Sequence, residues 1–469
     1  MSKSYIGAVL RGIIGLAVAA ALTLPVRAET LADALAAAYV NSGLIQQNRA
    51  LLRAADEDVA VAAAALKPVL SWSSSLQRQF GSRNSAPLNT TSGISTNSAN
   101  LDVTAALTVY DGGQNKLAID AAKEAVLSTR QSLILVEQQV LFSAIEAFVK
   151  VRRDIEIVGL RKNNMRVIKE ELRAAQDRFD VGEITKTDVA FAEARLAAST
   201  SALAAAQANL VQAKESYKQA VGAAPGKLSA PKKAPNLPRK ASEVKAKALR
   251  AHPELIALQH DIKQAELNVL RAEAGTGMTV KLSGSLGYSD SEGDNFSNSN
   301  SFGVSASGPI YSGGRLSALV RQAKARRDAQ RAGLYVTKAK IEQQAGSAFA
   351  LLQMARASRA ATDEQIRAAV VAFEGVREEA AVGARTTLDV LNAEQELLDA
   401  KADRVTSLTD EVIAGYRVLM RMGQLTAESL NLPVQKFDPA EYYNLVKSAP
   451  TKRSARGSKL DRVLKALSP

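Results

Sequence analysis

Residue types that commonly do chemistry are scarce in this chain. It has no cysteine and two histidines, His252 and His260, and neither belongs to a His-Glu-x-x-His pattern. The sequence also lacks a Gly-x-Ser-x-Gly elbow, a Walker loop and a dinucleotide-binding fingerprint. Pro253 after His252 indicates a helix start at which His252 is a cap. We therefore predict no enzyme, no metal site and no cofactor.

The most regularly placed polar and charged residues lie in a stretch that occurs twice. Residues 181–189 read Val-Gly-Glu-Ile-Thr-Lys-Thr-Asp-Val, and residues 382–390 read Val-Gly-Ala-Arg-Thr-Thr-Leu-Asp-Val. The two copies are 201 residues apart, and Tyr110-Asp111-Gly112-Gly113 recurs as Tyr311-Ser312-Gly313-Gly314 with the same offset. A constant offset at two distant landmarks indicates an internal duplication.

The duplication divides the chain into two repeats with flanking segments. Two basic residues, an apolar run and Val26-Arg27-Ala28 at the N-terminus predict a secretory signal peptide with cleavage after Ala28. The C-terminal segment is basic, and we expect it to be a solvated tail. The predicted segments are a signal peptide at 1–28, a first repeat at 29–222, a proline-rich connector at 223–240, a second repeat at 241–432 and the basic tail at 433–469.

Each repeat contains two segments in which apolar and small polar residues alternate. They predict β-hairpins at about 69–110 and 279–311, with one apolar and one polar face. Each strand has about the ~9 to 11 residues that cross a bilayer when tilted. Four strands cannot close a barrel, and open strand edges in lipid are costly, so the chain must oligomerise. Two copies would give eight strands and three would give twelve, and the strand pattern does not choose between them.

Long helices follow each predicted β-hairpin. Residues 113–181 contain no proline, and Ile134, Leu141, Phe148 and Ile155 keep heptad spacing. A helix of this length is on the order of 100 Å long at ~1.5 Å per residue, so it must project into an aqueous compartment. Gly182 and Gly383 supply the turns at the helical tips, near which the chain reverses. Each repeat therefore predicts an antiparallel helical hairpin, with tips near 182 and 383.

The overall charge limits the possible partners. The formal net charge is +13, which could suggest nucleic acid. Export to a compartment without genomic DNA argues against that partner, and acidic residues are interspersed with the basic ones. After residue 28 we find no second uninterrupted apolar stretch of spanning length, which argues against an inner-membrane helical bundle.

The motifs and their order resemble the TolC family of outer-membrane channel-tunnels. The resemblance rests on Pro309-Ile310-Tyr311-Ser312-Gly313-Gly314 at the end of a strand, on residues 382–391 at a helical tip, and on their duplication. It implies a fold that is mainly α with a membrane β-barrel portion: a homotrimer with a twelve-stranded barrel in the outer membrane and a long periplasmic helical tunnel. The implied partners are outer-membrane lipid, a periplasmic adaptor, and an inner-membrane transporter of the ABC or RND type. The implied function is an exit duct for type I protein secretion, small-molecule efflux, or both.

The resemblance also assigns a periplasmic gate to the helical tips. By motif position, Arg385 is the basic member of a latch between the two repeats, and Thr187 and Asp188 are its partners. Asp389 corresponds to an acidic residue that lines the constriction. This chain departs from the family pattern at Ala380, where a tyrosine is expected, and at Asn392, where a second acid is expected.

Two other classes of protein share some of these features. A periplasmic adaptor is also exported and also contains a long helical hairpin, but it normally carries β-rich globular domains beside a single hairpin. A secreted coiled-coil scaffold explains the heptads and leaves the bilayer-length strands unexplained. Detergent-dependent solubility separates both alternatives from a channel.

Overall fold

The computed structural model describes residues 28–85, 90–231, 237–291 and 295–467. The predicted signal peptide lies outside the described residues except for Ala28, and so do residues 232–236 of the predicted connector. The protein is mainly helical, with ten described helices: α1 Leu31–Asn41, α2 Gly43–Ala64, α3 Gln114–Asp180, α4 Lys186–Val221, α5 Ala241–Ala251, α6 Pro253–Ala274, α7 Arg315–Ala381, α8 Thr387–Arg421, α9 Pro439–Val446 and α10 Ala455–Leu467.

The two predicted helical hairpins are formed by α3 with α4 and by α7 with α8. Both outgoing helices, α3 and α7, have 67 residues. Each begins after a glycine in the left-handed conformation, Gly113 with φ +85° and Gly314 with φ +80°. Since glycine adopts positive φ without a steric penalty, the repeated Gly-Gly pair turns the chain from a strand directly into a helix.

Within the described ranges, four antiparallel strands form one sheet in the order β1-β2-β3-β4. The strands are β1 Val69–Ser85, β2 Thr90–Tyr110, β3 Thr279–Ser291 and β4 Asn295–Ser307. Their lengths are 17, 21, 13 and 13 residues, so the prediction of about ten residues per strand is wrong, above all for the first hairpin. A polar stretch rich in serine, threonine and asparagine continues the β1–β2 ladder as far as Ser85 and Thr90, which lengthens this hairpin.

The sheet has one apolar and one polar face, as predicted. Trp72 pairs with Val103, which pairs with Leu286, so three apolar side chains lie side by side across three strands. On the opposite face Ser71 and Thr104 share a hydrogen bond of 2.7 Å between their hydroxyl oxygens. Leu286 is 61% exposed and Trp72 is 75% exposed in the protomer. Large apolar side chains in such a position are covered by lipid in a membrane barrel.

The main hydrophobic core lies where the shorter helices surround the middle of the long outgoing helices. Leu141, Ile145 and Phe148 of α3 are fully buried there, and Tyr217 of α4 lies beside Phe148. Within the described residues one helix, α3, is long and apolar enough by length and composition to cross a membrane, and half of that stretch is buried inside the protein. These apolar residues therefore serve internal packing.

Polar contacts hold two segments of the chain in this region, the start of α6 and the residues around Glu29. His252 is the N-cap of α6, and its Nδ1 accepts a hydrogen bond from the Glu254 backbone N–H at 3.3 Å, which confirms its predicted cap role. Glu29, the first residue after the predicted cleavage site, accepts hydrogen bonds from the Tyr217 hydroxyl and the Gly226 backbone N–H. Its backbone also pairs in parallel with Leu228 of the connector.

The prediction of a solvated C-terminal tail does not hold. Residues Pro439–Val446 form α9, in which Tyr442 and Val446 are buried against Ala60 of α2. The Tyr442 hydroxyl donates a hydrogen bond of 2.7 Å to Glu57. The prediction rested on the net charge of the segment. Two buried apolar side chains, Tyr442 and Val446, are nevertheless sufficient to hold the segment against α2.

Candidate functional site at the tips of the helical hairpins

The two tips have the same backbone geometry. Gly182 has φ +80° and Gly383 has φ +79°, and each follows the last residue of its outgoing helix by two positions. The backbone N–H of Glu183 donates to the Arg178 carbonyl at 2.9 Å, and that of Ala384 donates to the Glu379 carbonyl at 2.9 Å. This pattern closes a helix around a left-handed glycine, so both chain reversals are set by local hydrogen bonds.

A threonine and an aspartate form a capping box at the start of each return helix. The Thr185 hydroxyl accepts from the Asp188 N–H, and Oδ2 of Asp188 accepts from the N–H and the hydroxyl of Thr185. Thr386 and Asp389 make the same three bonds in the second repeat. Hydrogen bonds from the paired threonine hold the pKa of each aspartate below its usual value. Both carboxylates therefore stay ionised at neutral pH, and each stabilises the N-terminus of its helix.

Arg385 lies on the second tip, apart from the first repeat's aspartate. Its guanidinium Nε donates to Glu379 Oε2 at 2.7 Å, and both side chains are about half exposed. Within the described protomer this ion pair, rather than one to Asp188, is the contact that Arg385 makes. Thr187 is exposed in the first turn of α4. The structure thus places all four predicted gate residues at the tips without bringing Arg385 to Asp188 in a single protomer.

The two repeats are nevertheless joined near the tips by residues that the sequence pattern did not identify. Arg195 Nη2 of α4 donates to Asn392 Oδ1 of α8 at 2.8 Å. Farther from the tip, Arg161 of α3 lies 3.5 Å from Asp399 of α8. Asn392 is the position at which the family resemblance implied an acid, so in this chain that position accepts a hydrogen bond across the repeats. The departure from the family pattern at Asn392 was the feature of the sequence that could have indicated this contact.

A buried carboxylate lies between these two cross-repeat contacts. Glu394 of α8 is 9% exposed, and its Oε2 has no hydrogen-bond partner within the described residues. Burial, followed by the negative charge of Glu171 on α3, raises the pKa of Glu394 to about 7. Such a group is costly when ionised, so the contact between the hairpins is sensitive to its protonation state.

An apolar cluster completes the contact. Leu391 of α8 is buried among Ala175 of α3 and Ala192 of α4, with Ile184 of the first tip packed against them. Ile184 and Arg385 occupy equivalent positions in the two copies of the repeated stretch. One copy therefore inserts an apolar side chain between the hairpins, whereas the other exposes a charge. We call this region, from the apolar cluster to the Arg161–Asp399 pair, the inter-hairpin seam.

Comparison with known proteins identifies the class to which this architecture belongs. A family model described as "Outer membrane efflux protein" matches residues 34–223 and 245–414, most of both repeats. Outer membrane efflux protein BepC of Brucella suis biovar 1 is 37% identical over 422 residues, which is 89% of this chain and 91% of BepC. The chain belongs to the outer membrane efflux protein family.

One further protein is similar to this chain over part of the sequence, and one solved structure is similar in fold. Alkaline protease secretion protein AprF of Pseudomonas aeruginosa is 28% identical over 201 residues, 41% of each chain. The solved structure of the CmeC outer membrane channel of Campylobacter jejuni superposes with a TM-score of 0.74 at 16% identity, and 90% of each chain is covered. The fold is that of the channel-tunnels, as the repeated motifs indicated.

Family and fold place the protein in the outer membrane as an efflux channel with a periplasmic tunnel. Outer membrane efflux channels are trimers, so four strands per protomer are one third of a twelve-stranded barrel. The alternatives of a periplasmic adaptor and of a coiled-coil scaffold are thereby excluded. The family and the fold are those of channel proteins and not of enzymes.

Proposed function

We propose that this outer-membrane channel is an exit duct shared by small-molecule efflux and type I protein secretion. The observation that carries the proposal is the continuity of the molecule: a sheet with an apolar and a polar face passes directly into hairpins whose outgoing helices have 67 residues. At ~1.5 Å per residue these helices extend on the order of 100 Å from the membrane. A conduit of this length suits substrates handed over at the inner membrane.

Two relatives support the two substrate classes. BepC is an efflux protein by its name, and AprF is a protease secretion protein by its name. The ends of the hairpins present exposed polar and charged side chains, a surface that suits contact with a protein partner better than selection of one small molecule. Substrate choice therefore belongs to the inner-membrane partner, an ABC or RND transporter that engages the channel through a periplasmic adaptor.

The hairpin tips are proposed to close this duct. In the closed trimer Arg385 exchanges Glu379 for Asp188, whose capping box uses Oδ2 and leaves Oδ1 for a further donor. Three copies of Asp389 near one axis would form a ring of carboxylates. Exposed ion pairs are worth roughly 0.2 to 1 kcal/mol each, so three of them sum to only a few kcal/mol. An adaptor that binds the open tips more tightly than the closed ones can supply that free energy.

Deleting the gene from its native host tests the substrate classes. We expect susceptibility to detergents and dyes to rise at least fourfold, measured as minimal inhibitory concentration, and we expect proteins exported by type I systems to decrease in the culture supernatant. Complementation with the wild-type chain should restore both phenotypes. A deletion strain that changes neither measurement contradicts the proposal, and a change in only one assigns the duct to that class.

A further inference from the structure

The C-terminal helix α10 and the turn before it present a strongly basic surface. Six exposed cationic side chains lie within residues 452–465, and the single acid in that range, Asp461, is only partly exposed. The exposed cations are Lys452, Arg453, Arg456, Lys459, Arg462 and Lys465. Leu464 is exposed beside Lys465, which adds an apolar side chain to the charged surface.

The opposite side of α10 attaches the helix firmly to the protein. Leu460 and Val463 pack against the cluster formed by Ala60, Tyr442 and Val446. This packing orients the helix, because the residues that face the protein are apolar and those that face away are basic. The basic surface is therefore held in one direction by the fold.

Hydrogen bonds place this helix at the base of the membrane sheet. Lys67 Nζ donates to the Ser448 carbonyl at 2.5 Å and to the Ala449 carbonyl at 2.7 Å, and Arg456 Nη1 donates to the Ser448 hydroxyl at 3.0 Å. Lys67 precedes the first residue of β1 by two positions. At ~3.3 Å per residue, lipid-facing Leu70 lies about 10 Å farther along the chain.

Aromatic side chains mark the same level of the barrel. Trp72 on β1, Tyr110 at the end of β2 and Tyr311 after β4 are all at least half exposed, and all lie near the helical end of the sheet. Tryptophan and tyrosine concentrate at membrane–water interfaces, so this level is the periplasmic boundary of the bilayer. The basic surface of α10 thus lies next to the periplasmic leaflet.

We propose that the exposed basic surface of α10 binds anionic phospholipid headgroups of the periplasmic leaflet of the outer membrane. Clusters of lysine and arginine beside a membrane segment are attracted to anionic lipid, and the attraction decreases within a Debye length of the surface. The bonds from Lys67 to the turn before α10, and from Arg456 to the same turn, place the N-terminal end of α10 near the start of β1, and the apolar inner face supplies the attachment that keeps the helix there. This inference rests on the outer-membrane location and is independent of the exported substrate.

Native mass spectrometry of the purified mature trimer tests the proposal. Phosphatidylglycerol and phosphatidylcholine of the same chain length are titrated separately, and the ratio of their affinities is measured. The test variant carries Lys459→Gln, Arg462→Gln and Lys465→Gln, which remove three charges and keep good helix formers. The matched control carries Lys162→Gln, Lys169→Gln and Arg173→Gln, three exposed positions on the tip-proximal part of α3.

We expect wild type and control to prefer phosphatidylglycerol about tenfold at low salt and the test variant to lose at least fivefold of that preference. The single Lys459→Gln variant should lose part of the preference for phosphatidylglycerol. This variant keeps the proposal testable if the triple variant misfolds. Inorganic phosphate should displace lipid no better than chloride at equal ionic strength. An unchanged preference in the triple variant, or specific displacement by phosphate, overturns the proposal. A deletion strain with unchanged efflux and secretion would instead contradict only the exit-duct function.

Discussion

At the scale of single residues, the tips combine strong local order with weak charge contacts. Each return helix begins with a Thr–Asp capping box, and each turn contains a glycine with φ near +80°. The capping bonds hold Asp188 and Asp389 in place at the start of each return helix. Arg385 is different, because an exposed arginine can exchange one carboxylate partner for another at little cost.

Replacing Arg385 by serine should therefore favour the open state. We expect the single-channel conductance of the Arg385→Ser trimer in planar bilayers to exceed that of wild type several-fold, because the proposed latch contact is lost in each protomer. A trivalent cation should block the wild-type channel by binding the proposed ring of Asp389 carboxylates.

Arg367→Ser supplies the matched control. Arg367 is an exposed arginine of α7 that pairs with Glu364 within the same helix, away from the tip. Its replacement removes the same charge and a comparable ion pair, so conductance should equal that of wild type. If Arg385→Ser also behaves like wild type, the latch assignment is wrong.

At the scale of the elements, the inter-hairpin seam is the contact that must change when the hairpins separate. Glu394 of α8 is buried there, and four charged groups on the surrounding helices face it: Glu171 of α3, Arg195 of α4, Arg377 of α7 and Lys401 of α8. Its pKa is raised to about 7 in the folded protein, compared with 4.5 ordinarily. The folded protein thus binds more protons than the unfolded chain between these two values.

The stabilising contribution of protonated Glu394 should be complete below about pH 4.5 and should be lost as the pH rises through about 7. We expect backbone amides of α8 near residue 394, after correction for intrinsic exchange rates, to exchange with solvent faster at pH 8 than at pH 5.5. The Glu394→Gln variant should remove this difference and stabilise the seam at pH 8 by on the order of 3 kcal/mol, since the pKa is raised from 4.5 to about 7 and one pKa unit is equivalent to about 1.4 kcal/mol.

Glu396→Gln is the matched control, because Glu396 is exposed on the same helix. The Glu396→Gln variant should retain the wild-type pH dependence of backbone amide exchange near residue 394. Equal corrected exchange rates at both pH values in the wild-type protein would show that Glu394 does not titrate in this range.

The helices and hairpins were predictable because their determinants are local. Heptad spacing, a Pro-free run and a tip glycine define α3 within one segment, and alternation defines the two faces of the sheet. The Arg195–Asn392 bond was not predictable, because it depends on how α4 and α8 align laterally, which no spacing along one chain encodes. The docking of α9 was missed because two buried side chains, Tyr442 and Val446, outweigh the charge of a whole segment.

At the scale of the whole molecule, the open sheet edges and the exposed apolar face both require the assembled, membrane-inserted trimer. The strand order leaves one side of β1 and one side of β4 without a partner in the described protomer. A neighbouring protomer supplies the missing strand at each edge. The apolar face then forms the outer wall of the barrel.

A charge placed on that wall should impair assembly. Leu286→Arg puts a guanidinium near the middle of the apolar band, where such a charge costs about 2 to 4 kcal/mol. We expect a marked decrease in the yield of heat-modifiable trimer when the protein is folded into liposomes. Ser283→Arg, three residues earlier on the polar face of β3, should fold nearly as well as wild type. Equal yields for the two variants would contradict the assignment of faces.

The equal lengths of α3 and α7 have a consequence for how such a protein can change. Both helices have 67 residues, so the two tips of each protomer lie level, and a trimer ends in a flat rim of six turns. Adding or deleting a heptad in one hairpin alone would leave three turns projecting beyond the other three. A change in the reach of the duct that keeps the six turns level therefore requires matched insertions or deletions in both halves of the gene.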